Sequence, residues 1–324
     1  MFPPETVPFP RQDEVGADED GVGFALRMAT ANGITFNELA RRLASPGHLY
    51  LPSHASSAVA FMFGCTPHRL EHAFVRRYFR GDSFGAAFVG QHFLRPYHLR
   101  QTSPQLCPLC LGQNLRALAA WSISLVTCCP SHRIQLLDIC TCGRPICWRR
   151  PSIDFCECGR RLTEPDQTIK PADAREIAVS AQIMFLLGPA HFRLRPPDRL
   201  PPGFDDISVD TFVRLIWSFG IIEDEQVRDH PRSTNRLLST AESSALVCRA
   251  VDRLTMTIGK RSLPPRVRIS VTGVDALREE CGSSADLQLI DALISCVRPI
   301  RSGHSLRHGR EIFEQLSLFT DNNE

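Results

Sequence analysis

A chain of 324 residues exceeds what one hydrophobic core usually serves, so two or more packed units are expected. With 43% hydrophobic and 22% charged residues it is globular; no run reaches the roughly 18 apolar residues that span a bilayer, and no basic-then-apolar export signal opens it, so it reads as a soluble, unexported, cytoplasmic protein. The net charge of +2 excludes little by itself, but only Lys170 and Lys260 are lysines, and the stretch from Arg95 to Arg161 sets nine arginines against Asp138, Asp154 and Glu157, a locally basic surface whose planar forks suit phosphate or carboxylate partners.

The opening, residues 1–19, carries four prolines and an acidic run, and composition alone predicts a flexible N-terminus. Residues 20–95 read as a helical unit. GFALRMATANG stops at Asn32-Gly33, a favoured helix end. Thr35 and Glu38 then have capping-box spacing before TFNELARRLA, which Ser45-Pro46-Gly47 breaks. SSAVAFMFG gives way at Gly64 to Thr66-Pro67, a capping residue followed by a proline suited to the first helical turn, and the next helix is expected over PHRLEHAFVRRYFR. That pair has helix-turn-helix layout, and its second member sets Arg69, His72, Arg76 and Arg80 on one side, a basic face for nucleic acid or for a docking partner.

Residues 96–165 hold nine of the thirteen cysteines. In a reducing compartment, dense thiol pairs read as metal ligands before disulfides, and zinc, which takes four thiolates or imidazoles with Zn–S near roughly 2.3 Å, is the natural ion. Cys107 and Cys110 form one Cys-x-x-Cys knuckle; Cys129 and His132 keep the same two-residue gap and form the other. Cys128 lacks that gap and reads as a small buried hydrophobe. Leu115, Leu118, Trp121 and Leu125 repeat at helical spacing between the knuckles, predicting an amphipathic helix with Trp121 in its core. A second set, Cys140, Cys142, Cys156 and Cys158, comes as two Cys-x-Cys-Gly turns, with Cys147 an alternative to Cys140 or Cys142. Two closed, structural zinc sites follow from these sets, each contributing to folding.

Residues 166–324 read as a C-terminal helical domain: a helix over ADAREIAVSAQIMFLLG, a proline-rich linker RLRPPDRLPPGFDD, a helix burying Phe212, Leu215, Ile216 and Phe219, and two more around SALVCRAVDRLT and DLQLIDALISCV. Cys248, Cys281 and Cys296 lie far apart in apolar settings and read as core. The fold class is therefore mainly α with small irregular or β zinc-ribbon modules: an N-terminal helical, helix-turn-helix-like unit, a central double zinc-binding unit and a C-terminal helical unit.

Four closed ligands leave no open metal position, and neither His-Glu-x-x-His nor a phosphate-binding loop occurs, so no enzyme activity is expected. FALRMATANG, then FGCTPHRLEHAF, then CPLC with a downstream Arg116-x4-Trp121 and CPSH, then CGRPI and CGRRL resemble the TniQ/TnsD family of transposon target-selection proteins over roughly residues 20 to 165. Two departures stand out: Cys140-Thr-Cys142-Gly is one residue shorter than the family's second cluster, and Asp20-Gly-Val-Gly-Phe24 replaces its Glu-Ser-x-x-Ser-Trp. The resemblance implies zinc at Cys107, Cys110, Cys129 and His132. It also implies an adaptor that reads target DNA or docks on a guide-RNA effector complex, engages an AAA+ ATPase that recruits the transposase, and in several members dimerises. A stand-alone zinc-ribbon, helix-turn-helix DNA-binding regulator is the alternative.

Overall fold

A computed structural model describes residues 6–43, 47, 49–78, 86–164, 169–188, 200, 203–221, 238–258 and 271–297. About half of the described residues are helical, with small sheets. The first helices are α1 (Gly21–Ala31), α2 (Phe36–Arg42), α3 (Ser56–Phe63) and α4 (Pro67–Ala73). Asp20 caps α1 by accepting from Val22 and Gly23 N–H, each at 2.9 Å. The Thr35–Glu38 capping box forms as its spacing predicts. Ahead of α4 the Thr66 hydroxyl caps nothing; it donates instead to Glu14 Oε1 at 2.6 Å.

That contact belongs to a larger difference from the sequence reading. The N-terminal stretch expected to be loose is packed from residue 6 onward. Phe9 stacks on Phe63 with ring centroids 5.5 Å apart, and Phe9 N–H and Asp13 N–H donate to the Met62 and Phe63 carbonyls. Val15 and Glu19 are buried. Proline and charge made this segment look unable to bury surface, but an extended strand laid over a neighbouring helix needs only a few apolar anchors.

α4 is also shorter than expected. Buried Phe74 takes extended backbone angles (φ −80, ψ 143), and the chain turns into β1 (Arg76–Tyr78), the edge of an antiparallel sheet with β2 (Ala86–Val89) and β3 (His92–Leu94). The reason is packing: a Cβ at Gly21 would stand 2.4 Å from the Phe74 ring, so the ring fills the space that glycine opens at the start of α1. Continuing the helix would pull Phe74 out of that seat.

Between the knuckles the expected amphipathic helix is absent. α5 (Pro108–Asn114) ends at Leu115, which takes a left-handed φ of 52. The chain then pairs with the N-terminal strand: Asp20 N–H donates to Ala117 O and Ala119 N–H to Asp18 O, both at 2.8 Å. Only a short 3-10 turn, Ala119–Ser122, carries buried Trp121. Helical spacing failed here because long-range pairing claims the backbone groups a helix would use.

A ribbon of β4 (Cys128–Cys129) and β5 (Ile134–Gln135) precedes α6 (Ala174–Leu186), α7 (Val209–Gly220), α8 (Thr240–Ile258), α9 (Val271–Glu280) and α10 (Ser284–Val297). α7, capped by Ser208, buries Phe212, Leu215, Ile216 and Phe219 completely and packs on α6, α8, α9 and β3. α9 was not anticipated, and most of the proline-rich linker lies outside the described residues. Cys248 and Cys281 are half-buried and Cys296 is exposed, so the last is not core. Buried apolar side chains form one continuous cluster from Val15 to Leu293.

Candidate metal centres

Two groups of ligand-type side chains converge among the described residues, Cys107, Cys110, Cys129 and His132 in one and Cys140, Cys142, Cys156 and Cys158 in the other, with the ligand atoms of each set within 4.8 Å of one another. Cys147, the sequence alternative, belongs to neither.

In the first group Cys107 stands at the N-cap of α5, where its Sγ accepts from Cys110 N–H at 3.5 Å. Cys129 lies on β4, and Arg133, at φ 56, closes the second knuckle by donating its N–H to Cys129 O at 2.7 Å. The resulting edges are short: Cys110 Sγ to Cys129 Sγ is 3.6 Å, and His132 Nδ1 lies 3.2, 3.5 and 3.5 Å from the sulfurs of Cys110, Cys107 and Cys129. A tetrahedral zinc ion with ordinary bond lengths demands S···S edges of roughly 3.8 Å and S···N edges of roughly 3.5 Å, so the donor set has the right size as well as the right chemistry. Hydrogen bonding from Cys107 and then Cys110 holds the Cys129 thiol far down, at about 2, while bonding to Cys107 pushes Cys110 far up. Three thiolates this close would repel one another, so a cation among them would favour the ionised form of all three. On the far side of the ring, His132 Nε2 meets the Gln113 amide at 3.1 Å. That contact is to Gln113 Nε2; with Nδ1 facing the sulfurs His132 Nε2 carries the hydrogen, and the amide turned over, its oxygen accepting, would supply the outer contact that fixes a ligating histidine.

The second group is an internal repeat. Asp138-Ile-Cys-Thr-Cys-Gly-Arg-Pro-Ile146 and Asp154-Phe-Cys-Glu-Cys-Gly-Arg-Arg-Leu162 match bond for bond. In the first copy Cys140 N–H donates to Arg144 O, Gly143 N–H to Cys140 O and Ile146 N–H to Asp138 O, at 2.9, 2.8 and 2.8 Å. In the second, Cys156 donates to Arg160 O, Gly159 to Cys156 O and Leu162 to Asp154 O, at 2.9, 3.0 and 2.7 Å. Gly143 and Gly159 take φ of 83 and 84, the left-handed turn that each knuckle requires and that glycine adopts without a Cβ penalty. The knuckles face each other crosswise: Cys140 Sγ lies 3.9 Å from Cys158 Sγ, and Cys142 Sγ 3.9 Å from Cys156 Sγ, again close to tetrahedral edges. Cys158 is exposed, and the Arg160 N–H bond, the largest influence on it, lowers its thiol to about 7.

Both groups are anchored to the N-terminal elements. Glu19, with a fully buried side chain, accepts from Arg27 Nε and Nη2 at 2.8 and 3.1 Å and from Gly16 N–H at 2.9 Å, and Arg116 Nε lies 3.7 Å away. Arg116 thus meets α1 through Glu19, whereas Trp121 is core, its indole nitrogen without a hydrogen-bond partner. Trp148, between the two copies of the repeat, packs toward α1 and donates to Gln101 O at 2.8 Å.

The four basic residues expected on one helix do not assemble there. Arg69 and His72 are on α4, Arg69 exposed; Arg76 is on β1, donates to Gly90 O at 2.6 Å and lies over the Phe88 ring; Arg80 lies outside the described residues. Sequence reasoning missed Gln113, Glu19, Asp138 and Asp154. Only the last two left a signal, standing two residues ahead of matching cysteines. Cys128 is fully buried against Ser180, as its unpaired spacing suggested.

No described helix is long and apolar enough to cross a membrane. No curated protein matches the chain. Residues 10–136 match the model of the TniQ family, a span that takes in α1 to α5 and the whole first metal-ligand group and stops ahead of Cys140.

Proposed function

We propose that this chain, whose residues 10–136 are a TniQ-family domain, is a non-catalytic target-selection adaptor for a transposon in the bacterial cytoplasm. A TniQ domain carries transposon-associated target selection in general. The finer reading is that the chain bridges target DNA, or a guide-RNA effector complex, to an AAA+ ATPase that recruits the transposase, alone or as a homodimer.

The observation that carries this reading is the coincidence of the family match with a closed ligand set. Cys107, Cys110, Cys129 and His132 would hold one zinc ion and Cys140, Cys142, Cys156 and Cys158 a second. With four protein donors around each, the ions would supply folding energy rather than a bound water. The chain's own residues then do positional work: Glu19 and Arg116 lock the first centre to α1, so whatever surface the domain presents is referenced to both.

The test is co-purification. With a transposon ATPase co-expressed from the same gene neighbourhood, the chain should retain it on a column and raise its DNA-dependent assembly, and metal analysis should give two zinc ions per chain. Tight, sequence-selective duplex binding by the chain alone, with no effect on any such ATPase, would replace the adaptor by the stand-alone regulator.

A further inference from the structure

Arg150 is among the most deeply buried charged side chains of the molecule, 1% exposed. Buried guanidinium groups ordinarily sit on a carboxylate, because an unbalanced charge in a low-dielectric interior is costly. Arg150 does not. Its Nε donates to Ile153 O at 3.2 Å and its Nη1 to Cys147 O at 2.7 Å, its plane lies over the Trp148 ring at 5.2 Å, and its buried Nη2 has no partner. The sulfurs of Cys147 and Cys156 act on it electrostatically ahead of the carboxylates of Asp154 and Asp20.

Its position in the repeat gives this meaning. Residues 147 to 153 connect the first Cys-x-Cys-Gly knuckle to the second, and the two carbonyls that Arg150 holds lie at the two ends of that connector. The guanidinium therefore sets the separation of the knuckles from the middle, while a metal would set it from their tips. A divalent ion held by four thiolates keeps a net double negative charge, whereas the first group, with its imidazole, keeps only a single one. The more negative centre is the one with a carboxylate-free buried arginine beside its connector.

We propose that Arg150 is the positioning residue of the second metal centre: it braces the connector between the knuckles, and its buried charge offsets the excess negative charge of the tetrathiolate site. This rests on the reading that Cys140, Cys142, Cys156 and Cys158 hold a metal. Burial lowers the Arg150 pKa to about 10, consistent with a cation that lacks a strong protein anion.

The test compares R150M, which keeps length and loses charge, with R150K, which keeps charge, in the full chain. Zinc is titrated away with a chelator, and cobalt substitution separates the four-sulfur from the three-sulfur, one-nitrogen spectrum. In the wild type two ions are first counted; a single ion showing only the mixed-ligand spectrum overturns the metal reading and this proposal together. With two present, R150M should lose about 10- to 100-fold in affinity at the four-sulfur centre alone, the range for an outer-shell partner, and R150K, which keeps the charge but cannot hold both carbonyls, should lose clearly less. Equal affinities in all three chains, equal losses in R150M and R150K, or losses spread over both centres would overturn the role of charge. If R150M does not fold, R150K decides: a loss of affinity confined to the four-sulfur centre supports the proposal, and an unchanged affinity there or a loss at both centres ends it.

Discussion

Asp20 shows how much one buried carboxylate can be asked to do. It caps α1 and accepts from Ser122 Oγ at 3.0 Å, yet among the described residues no cation forms an ion pair with it, and burial above all raises its pKa from 3.8 to about 6. A carboxyl whose folded pKa lies above its unfolded value binds more protons folded than unfolded between the two. Its contribution to stability is therefore most favourable at low pH and is lost as pH rises from about 3.8 to about 6. Asp20→Asn keeps an acceptor for the Val22 and Gly23 N–H groups and turns an amide hydrogen toward Ser122. In denaturation with zinc saturating, the stability of D20N relative to wild type should grow from pH 5 to pH 6 and then level off. A relative gain by the wild type over that interval would show that the carboxylate is stabilised by something other than its cap.

Helices and knuckles show where packing outranks local preference. α7 and α8 meet at Gly220, where an added Cβ would stand 2.5 Å from the Leu246 carbonyl oxygen and from its Cδ2. Backbone cannot yield as a side-chain tip can, so Gly220→Ala should cost about 1–3 kcal/mol, read as a lower thermal midpoint with unchanged zinc content. An unchanged midpoint would mean that the two helices slide apart freely. Caps, periodicity and thiol spacing made α1, α2, α6 and α7 legible in the sequence, together with the two ligand sets. What was not legible depended on partners distant in the chain: α4 ends at Ala73 because Phe74 must reach Gly21, and residues 115–125 are not a helix because residues 18–20 take their backbone bonds. The second ligand set could be read because its geometry is local, each knuckle closing on itself within nine residues.

Across the whole molecule, residues 6–20 tie otherwise separate parts together. They cover α3, pair with residues 117–119 and supply Glu19 and Asp13 to Arg27. Removing residues 1–19 would leave Arg27 largely buried without its anions, a loss of the kind that costs about 3–5 kcal/mol, and would uncover Phe63. The shortened chain should melt well below the full one and bind a hydrophobic dye at temperatures where the full chain does not. Matching melts would mean that the stretch is an ornament.

The pairing of Asp18 with Ala119 also orders events during synthesis. These residues are about a hundred positions apart, so residues 18–20 leave the ribosome long before their mate exists and must wait, their backbone groups unpaired with it, until residues beyond the first knuckle have emerged. At ordinary elongation rates of roughly 5–20 residues per second that interval lasts seconds, ample for a nascent chain to be claimed by a chaperone. Completion of the first cysteine-histidine cluster and seating of this strand thus fall in the same window of translation.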